Sequence, residues 1–270
     1  MKFNLKQLTA ASLLALAGAA QASVITVQPG ETHQGLKLVG GNAVLSFSGS
    51  LIEALNAGQV SITAQAPAAA SETSAYDPDL DEVVRTGASA NAPLTFMTVD
   101  DVSGDVLAAG SLGGAVMIAP KVSGVSKGGS LTVGNLSVNL TEKRVYADIT
   151  GNFSGVTGAA ATTLTHFHLW NFASLSGPTN VQVGAGSYTN VISGLSITQA
   201  GFDNFASALG LLTTGRNALL GVTDFGTITS TIVAEGKLVM APQVPEPGTW
   251  ALMGLGFTGI ALAARRRRTA

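Results

Sequence analysis

His166 and His168, in the run Leu164-Thr165-His166-Phe167-His168-Leu169-Trp170, are the residues of this 270-residue chain best spaced to act together. Side chains alternate along an extended strand, so both imidazoles fall on one face and offer a pair of nitrogen ligands to zinc, copper or iron. A third ligand is missing nearby, since His33 is distant in sequence and a carboxylate would have to arrive through the fold. The competing reading is the polar side of a half-buried strand whose Phe167 and Leu169 face the core. Asp77, Asp79 and Asp81 have the one, three, five spacing of a calcium loop, but Glu82 stands where the loop needs Gly and Ala88 where it needs Glu, so this is not an EF-hand. A looser calcium site on those carboxylates, or on Asp100, Asp101 and Asp105 around Ser103-Gly104, competes with solvated acidic loops. No other cofactor is suggested.

Other chemistry is excluded or unsupported. The chain has no cysteine, hence no thiolate nucleophile and no cysteine metal site. It has no Gly-x-Ser-x-Gly elbow. Gly254-x-Gly256-x-x-Gly259 matches the dinucleotide fingerprint in letters alone, because eleven residues remain after it and no βαβ unit fits there. A glycosidase-type pair of carboxylates depends on the fold and not on spacing. The expectation is therefore a non-enzymatic protein, with a secreted hydrolase or a calcium- or carbohydrate-binding adhesive module as alternatives.

The elements that would position these residues are short alternating runs punctuated by Gly, Ser and Asn. Residues 24–27, 36–39, 44–47 and 60–63 are strand candidates. The clearest signal is 131–140, where apolar and polar residues alternate; the pattern resumes at Val145, Ala147 and Ile149 after a polar connection, which predicts a β-hairpin. A second hairpin is expected from 228–233 and 238–240 around Glu235-Gly236. Phe202, Phe205, Ala206, Leu209 and Leu212 fall at helical spacing between Gly201 and the breakers Gly210 and Gly215, predicting one short helix. Residues 64–92, rich in Ala, Ser, Pro and acid, show no periodicity and are expected to be a loop or linker. The sum is a mainly β chain: an antiparallel β-sandwich-like exported domain over 23–243 with one short helix.

Both ends carry sorting information. Lys2 and Lys6 precede an apolar core at 8–20, and Ala20-Gln21-Ala22 is a small-x-small site, so residues 1–22 are expected to be a signal peptide cut by signal peptidase to leave Ser23 first. At the other end, Val244-Pro245-Glu246-Pro247-Gly248 leads into an apolar run from Trp250 to Ala264 and then Arg265, Arg266, Arg267 and Arg268. The two prolines hold the backbone extended and remove amide donors, keeping the segment open to an enzyme's cleft. The apolar run is shorter than the roughly 20 residues of a stable spanning helix. The arginines stop transfer and stay on the cytoplasmic side.

The segment VPEPGTWALMGLGFTGIALAARRRR resembles the PEP-CTERM sorting domain of bacterial surface proteins, with Pro245, Glu246 and Pro247 matching its signature. The resemblance covers only the last tenth of the chain. It implies a single C-terminal hydrophobic helix at 244–270, transient anchoring in the inner membrane, removal of the tail by an exosortase, and association with exopolysaccharide or biofilm at the outer surface. The alternative is a permanent anchor.

Charge bounds the partners of the remainder. Of fourteen basic residues, removing Lys2, Lys6 and the four terminal arginines leaves eight; of sixteen acidic ones, removing Glu246 leaves fifteen, about −7 for the exported part. Such an acidic domain lacks the basic face that nucleic acid needs for counterion release, so nucleic acid is not an expected partner.

Overall fold

The computed structural model describes residues 24–156, 158–181 and 185–236. The alternating run at the centre of the chain forms the expected hairpin of β9 (Ser126–Asn139) and β10 (Arg144–Gly151). Leu131, Val133, Leu136 and Val138 on β9, and Val145, Ala147 and Ile149 on β10, are buried. The residues between them face outward, as a sheet with one wet face requires.

The other strands are β1 (Val24–Val27), β2 (Thr32–His33), β3 (Leu36–Phe47), β4 (Ser61–Gln65), β5 (Ala69–Asp77), β6 (Glu82–Asp100), β7 (Val106–Ser111), β8 (Gly114–Val122), β11 (Thr162–Ser176), β12 (Gly186–Ile197) and β13 (Gly226–Gly236). All named pairings are antiparallel, and the order runs β6-β3-β13-β12-β11-β10-β9. The six-residue β7 then pairs with β6 on one side and β9 on the other, which closes an eight-strand ring. The mainly antiparallel β architecture is as expected; its two layers belong to one sheet closed upon itself. Closure leaves these strands without the free edges that invite intermolecular pairing.

Past β7 the ring splays. β9 continues in register with β8, which pairs with β4, while β6 continues with β5. Helix α1 (Gly49–Ala57) contributes Leu51, Ile52 and Leu55 to the larger core cluster. A smaller cluster gathers Val27, Leu36, Leu38, Met97, Val99 and Ile232. Val, Ile, Leu and Ala dominate both clusters, as a chain with only 6% aromatic residues must arrange.

Several expectations need correction. Residues 228–233 do not begin a hairpin with 238–240: both edges of β13 are occupied, one by β12 and the other by β3, and 238–240 fall outside the described residues. Segments 36–39 and 44–47 are one strand, carried through Gly40-Gly41; a Cβ on Gly41 would lie 2.2 Å from the Thr231 carbonyl, so only Gly lets β13 approach there. Three helices form among the described residues. The expected one is α2 (Gln199–Ala208), capped by Thr198 and ended at Gly210, whose φ of 62° is left-handed. Leu212 belongs instead to the start of α3 (Thr213–Leu220). Residues 64–92 are largely β5 and the first half of β6, and β5 buries no residue, which is why no alternation shows there.

Candidate functional site

Strands β10 and β11 are not in simple register. Val145 pairs with Trp170 but Tyr146 with His168, and Ala147 pairs with Phe167 but Ile149 with Leu164. Across the second irregularity, Asp148 alone faces Thr165 and His166. On the opposite edge Tyr146 pairs with Ser137 and Asp148 with Gly134, so Asn135 and Leu136 face Ala147 alone. His166 and Asn135 take left-handed backbone, φ 49° and 52°, which is uncommon for non-glycine residues and characteristic of bulges.

The Asp148 carboxylate joins the two bulges. Its Oδ1 accepts the His166 main-chain N–H at 2.8 Å and its Oδ2 accepts the Asn135 side-chain amide at 2.9 Å. Asn135 in turn accepts the Gly113 N–H at 3.0 Å through Oδ1 and donates its own N–H to the Gly113 carbonyl at 3.0 Å. One carboxylate thus fixes the local register of three strands.

This framework brings His166, His168 and Tyr146 together on the outer face. The Tyr146 ring stacks on His166 with centroids 4.3 Å apart and planes 4° from parallel, and lies 5.4 Å from the tilted His168 ring. The Tyr146 hydroxyl donates to Glu142 Oε2 at 3.2 Å, and Arg144 donates to the same oxygen at 3.0 Å. The hydrogen bond with Tyr146, and then the charge of Glu142, hold the Arg144 guanidinium more firmly protonated than usual. His168 Nε2 and Asn171 Oδ1 are 3.0 Å apart.

The two imidazoles share a face, as their spacing predicts, but their companion is a phenol ring. Among the described residues no group of three or more His, Cys, Asp or Glu side chains is placed to hold a metal ion. His33 is on β2, beside β3, and does not join the pair. Asp148 meets His166 through the main chain and not the imidazole, so the two do not form the dyad that a hydrolytic base requires. Asp77 Oδ1 accepts the N–H groups of Asp79 (2.9 Å) and Leu80 (3.3 Å), and Asp81 accepts the Tyr76 hydroxyl, so two of these three carboxylates serve the β5–β6 turn. Asp100 accepts the N–H groups of Val102 and Ser103, both at 2.9 Å; these bonds, Ser103's first, hold its carboxyl below the usual range. Sequence reasoning missed Tyr146, Asp148 and Asn135 because a bulge is set by how two strands pair.

Ala20, Ala22 and Ser23 at one end, and everything from Pro245 to Arg268 at the other, lie outside the described residues. The described chain ends with β13 at Gly236, a few residues short of the tail. Residues 243–268 match the PEP-CTERM protein-sorting motif. That match implies an exported protein, anchored transiently in a membrane, with an exosortase as its processing partner. Among the described residues no helix is long and apolar enough to cross a membrane. No curated protein matches the chain. Among solved structures, the heme-binding protein HtaB from Corynebacterium glutamicum is similar at 14% identity and a TM-score of 0.45, over 79% of this chain and 98% of that one. The C-terminal domain of HtaA from the same organism gives 13% identity and a TM-score of 0.42, over 72% and 99%. At these values the likeness fixes neither a shared fold nor a shared ligand.

Proposed function

We propose that the barrel is the mature part of a non-enzymatic surface or matrix protein that works in contact with exopolysaccharide, as in a biofilm or floc. The sorting motif at 243–268 carries this reading. In it, signal peptidase cuts after Ala22, the tail through Trp250 to Ala264 holds the chain in the inner membrane with Arg265 to Arg268 inside, and the exosortase acts at Pro245-Glu246-Pro247. The outer faces suit such a setting. Cross-strand hydroxyl pairs, Thr150 with Thr163 at 2.8 Å, Ser174 with Ser193 at 2.7 Å and Thr26 with Thr98 at 3.2 Å, present polar, uncharged surface to solvent.

Co-fractionation tests the proposal. Exported protein should sediment with extracellular polysaccharide from its own host through a high-salt wash, and be released when the polysaccharide is digested. Protein that stays in the supernatant with or without polysaccharide would overturn the reading.

A further inference from the structure

Outside the closed ring, one long strand edge is left uncovered among the described residues. Strands β1, β2 and β4 are paired on one side only and run four, two and five residues. Such short edges offer little for another chain to pair with. β5 is also paired on one side only, by β6, but it runs nine residues, Ala-Ala-Ser-Glu-Thr-Ser-Ala-Tyr-Asp, with no lysine or proline to blunt it. The bulge in this pair puts its extra residue, Thr86, on β6 and leaves β5 regular. From Glu72 opposite Ala88 out to Asp77 opposite Glu82, the two strands pair with no other described strand, so they leave the barrel as a two-stranded ribbon. A ribbon of two strands alone is marginally stable in water. Its β6 edge is taken: Asn56 of α1 donates to the Arg85 carbonyl at 2.8 Å and accepts Arg85 Nε–H at 3.1 Å. Its β5 edge points alternate main-chain N–H and C=O groups outward, where no described strand receives them.

Charge and register select the partner. Antiparallel pairing of two copies over all nine residues is centred on Thr73, so Ala69 faces Asp77, Ala70 faces Tyr76, Ser71 faces Ala75 and Glu72 faces Ser74 of the second copy. No like charges stand directly opposite, and Glu72 is already matched by Arg85 at 2.9 Å. Pairing restricted to residues 72–77 would instead set Glu72 against Asp77, which favours the full overlap. We propose that the mature protein forms a symmetric dimer through β5. The product is one four-stranded sheet, β6-β5-β5-β6, whose outer edges are both held by α1, so assembly closes at two copies. The dimer does not depend on the polysaccharide reading above.

Sedimentation equilibrium of the mature exported protein from about 1 μM to about 1 mM tests it, a range that covers weak and moderate association. The mass should rise from one copy to two and stop there. Ser71→Lys with Ala75→Lys puts lysine opposite lysine at two places in the dimer and should raise Kd about tenfold or more. Ser71→Lys with Ala75→Glu puts opposite charges at the same two places and should restore the parent Kd or better. Both positions are exposed, so the far-ultraviolet circular dichroism of each variant should match the parent. Amide exchange at alternate residues of β5 should slow as concentration rises. A monomer throughout, a mass that climbs past two copies, a dimer that the lysine pair leaves intact, or one that the charge swap fails to restore would each overturn the proposal. So would β5 amides protected equally at every concentration, because another segment of the same chain would then cover the edge.

Discussion

Replacing Asp148 by alanine should destabilise the barrel more than its half-buried position suggests. The carboxylate accepts two hydrogen bonds, at 2.8 and 2.9 Å, that hold a left-handed histidine and a left-handed asparagine in place. Hydrogen bonds to a charged group contribute about 1.5–3 kcal/mol each. His166 is exposed, so water replaces part of the lost interaction, and the low end applies: about 3 kcal/mol for the pair. Against a total stability of about 5–15 kcal/mol this is a large share. At about 2–4 °C per kcal/mol for a domain of this size, the transition should fall by roughly 6–12 °C. Asp148→Asn keeps one acceptor oxygen and should recover about half of the loss. Urea unfolding followed through the buried Trp170 reads the difference. Near-ultraviolet circular dichroism should also show a change in the Tyr146 environment as His166 is released. A loss under about 0.5 kcal/mol for the alanine variant would refute the claim that this carboxylate sets the bulges.

Four further outcomes follow from the structure. Gly114→Ala should lower the urea midpoint by the equivalent of about 1–3 kcal/mol or more, because its Cβ would sit 2.0 Å from the Val133 carbonyl on β9; an unchanged midpoint contradicts the tight β8–β9 approach. Ser111→Ala should be neutral or stabilising by up to about 1 kcal/mol, since its buried Oγ has no partner among the described residues; a comparable loss would show a bond that the geometry lacks. Asp100 has a depressed carboxyl pKa, so its contribution is complete above the unfolded value near 4 and fades as pH falls through the lower folded value. Hydrogen exchange at Val102 and Ser103 should therefore quicken beyond its intrinsic rate in acid, and Asp100→Asn should flatten that dependence. Thermal unfolding with calcium and then with a chelator should give one transition temperature, because Asp77 and Asp81 are engaged by their own turn; a higher temperature with calcium would restore the ion site.

Alternation made the β9–β10 hairpin legible, since Leu131 through Ile149 bury one face and wet the other. The closing strand β7 was not legible: its six residues mix buried and half-buried positions, and its partners lie far apart in sequence. Helix α1 is only nine residues long and follows β3 almost directly, so its Ser48 cap and its Leu51, Ile52 and Leu55 stripe stood out too little. The face shared by His166 and His168 followed from spacing, whereas their stacking partner Tyr146 depended on two bulges that no local pattern announces. Strand β5 at Ala69–Asp77 resisted reading because a strand with no buried side has no period to show.

Intact mass of the exported protein, measured beside a variant with Pro245, Glu246 and Pro247 replaced by alanine, tests the central claim most directly. The parent should start at Ser23, end near the motif and be found outside the inner membrane, while the variant keeps its tail and remains there. A parent that retains the tail in the inner membrane, indistinguishable from the variant, would show the segment to be a permanent anchor and not a sorting signal.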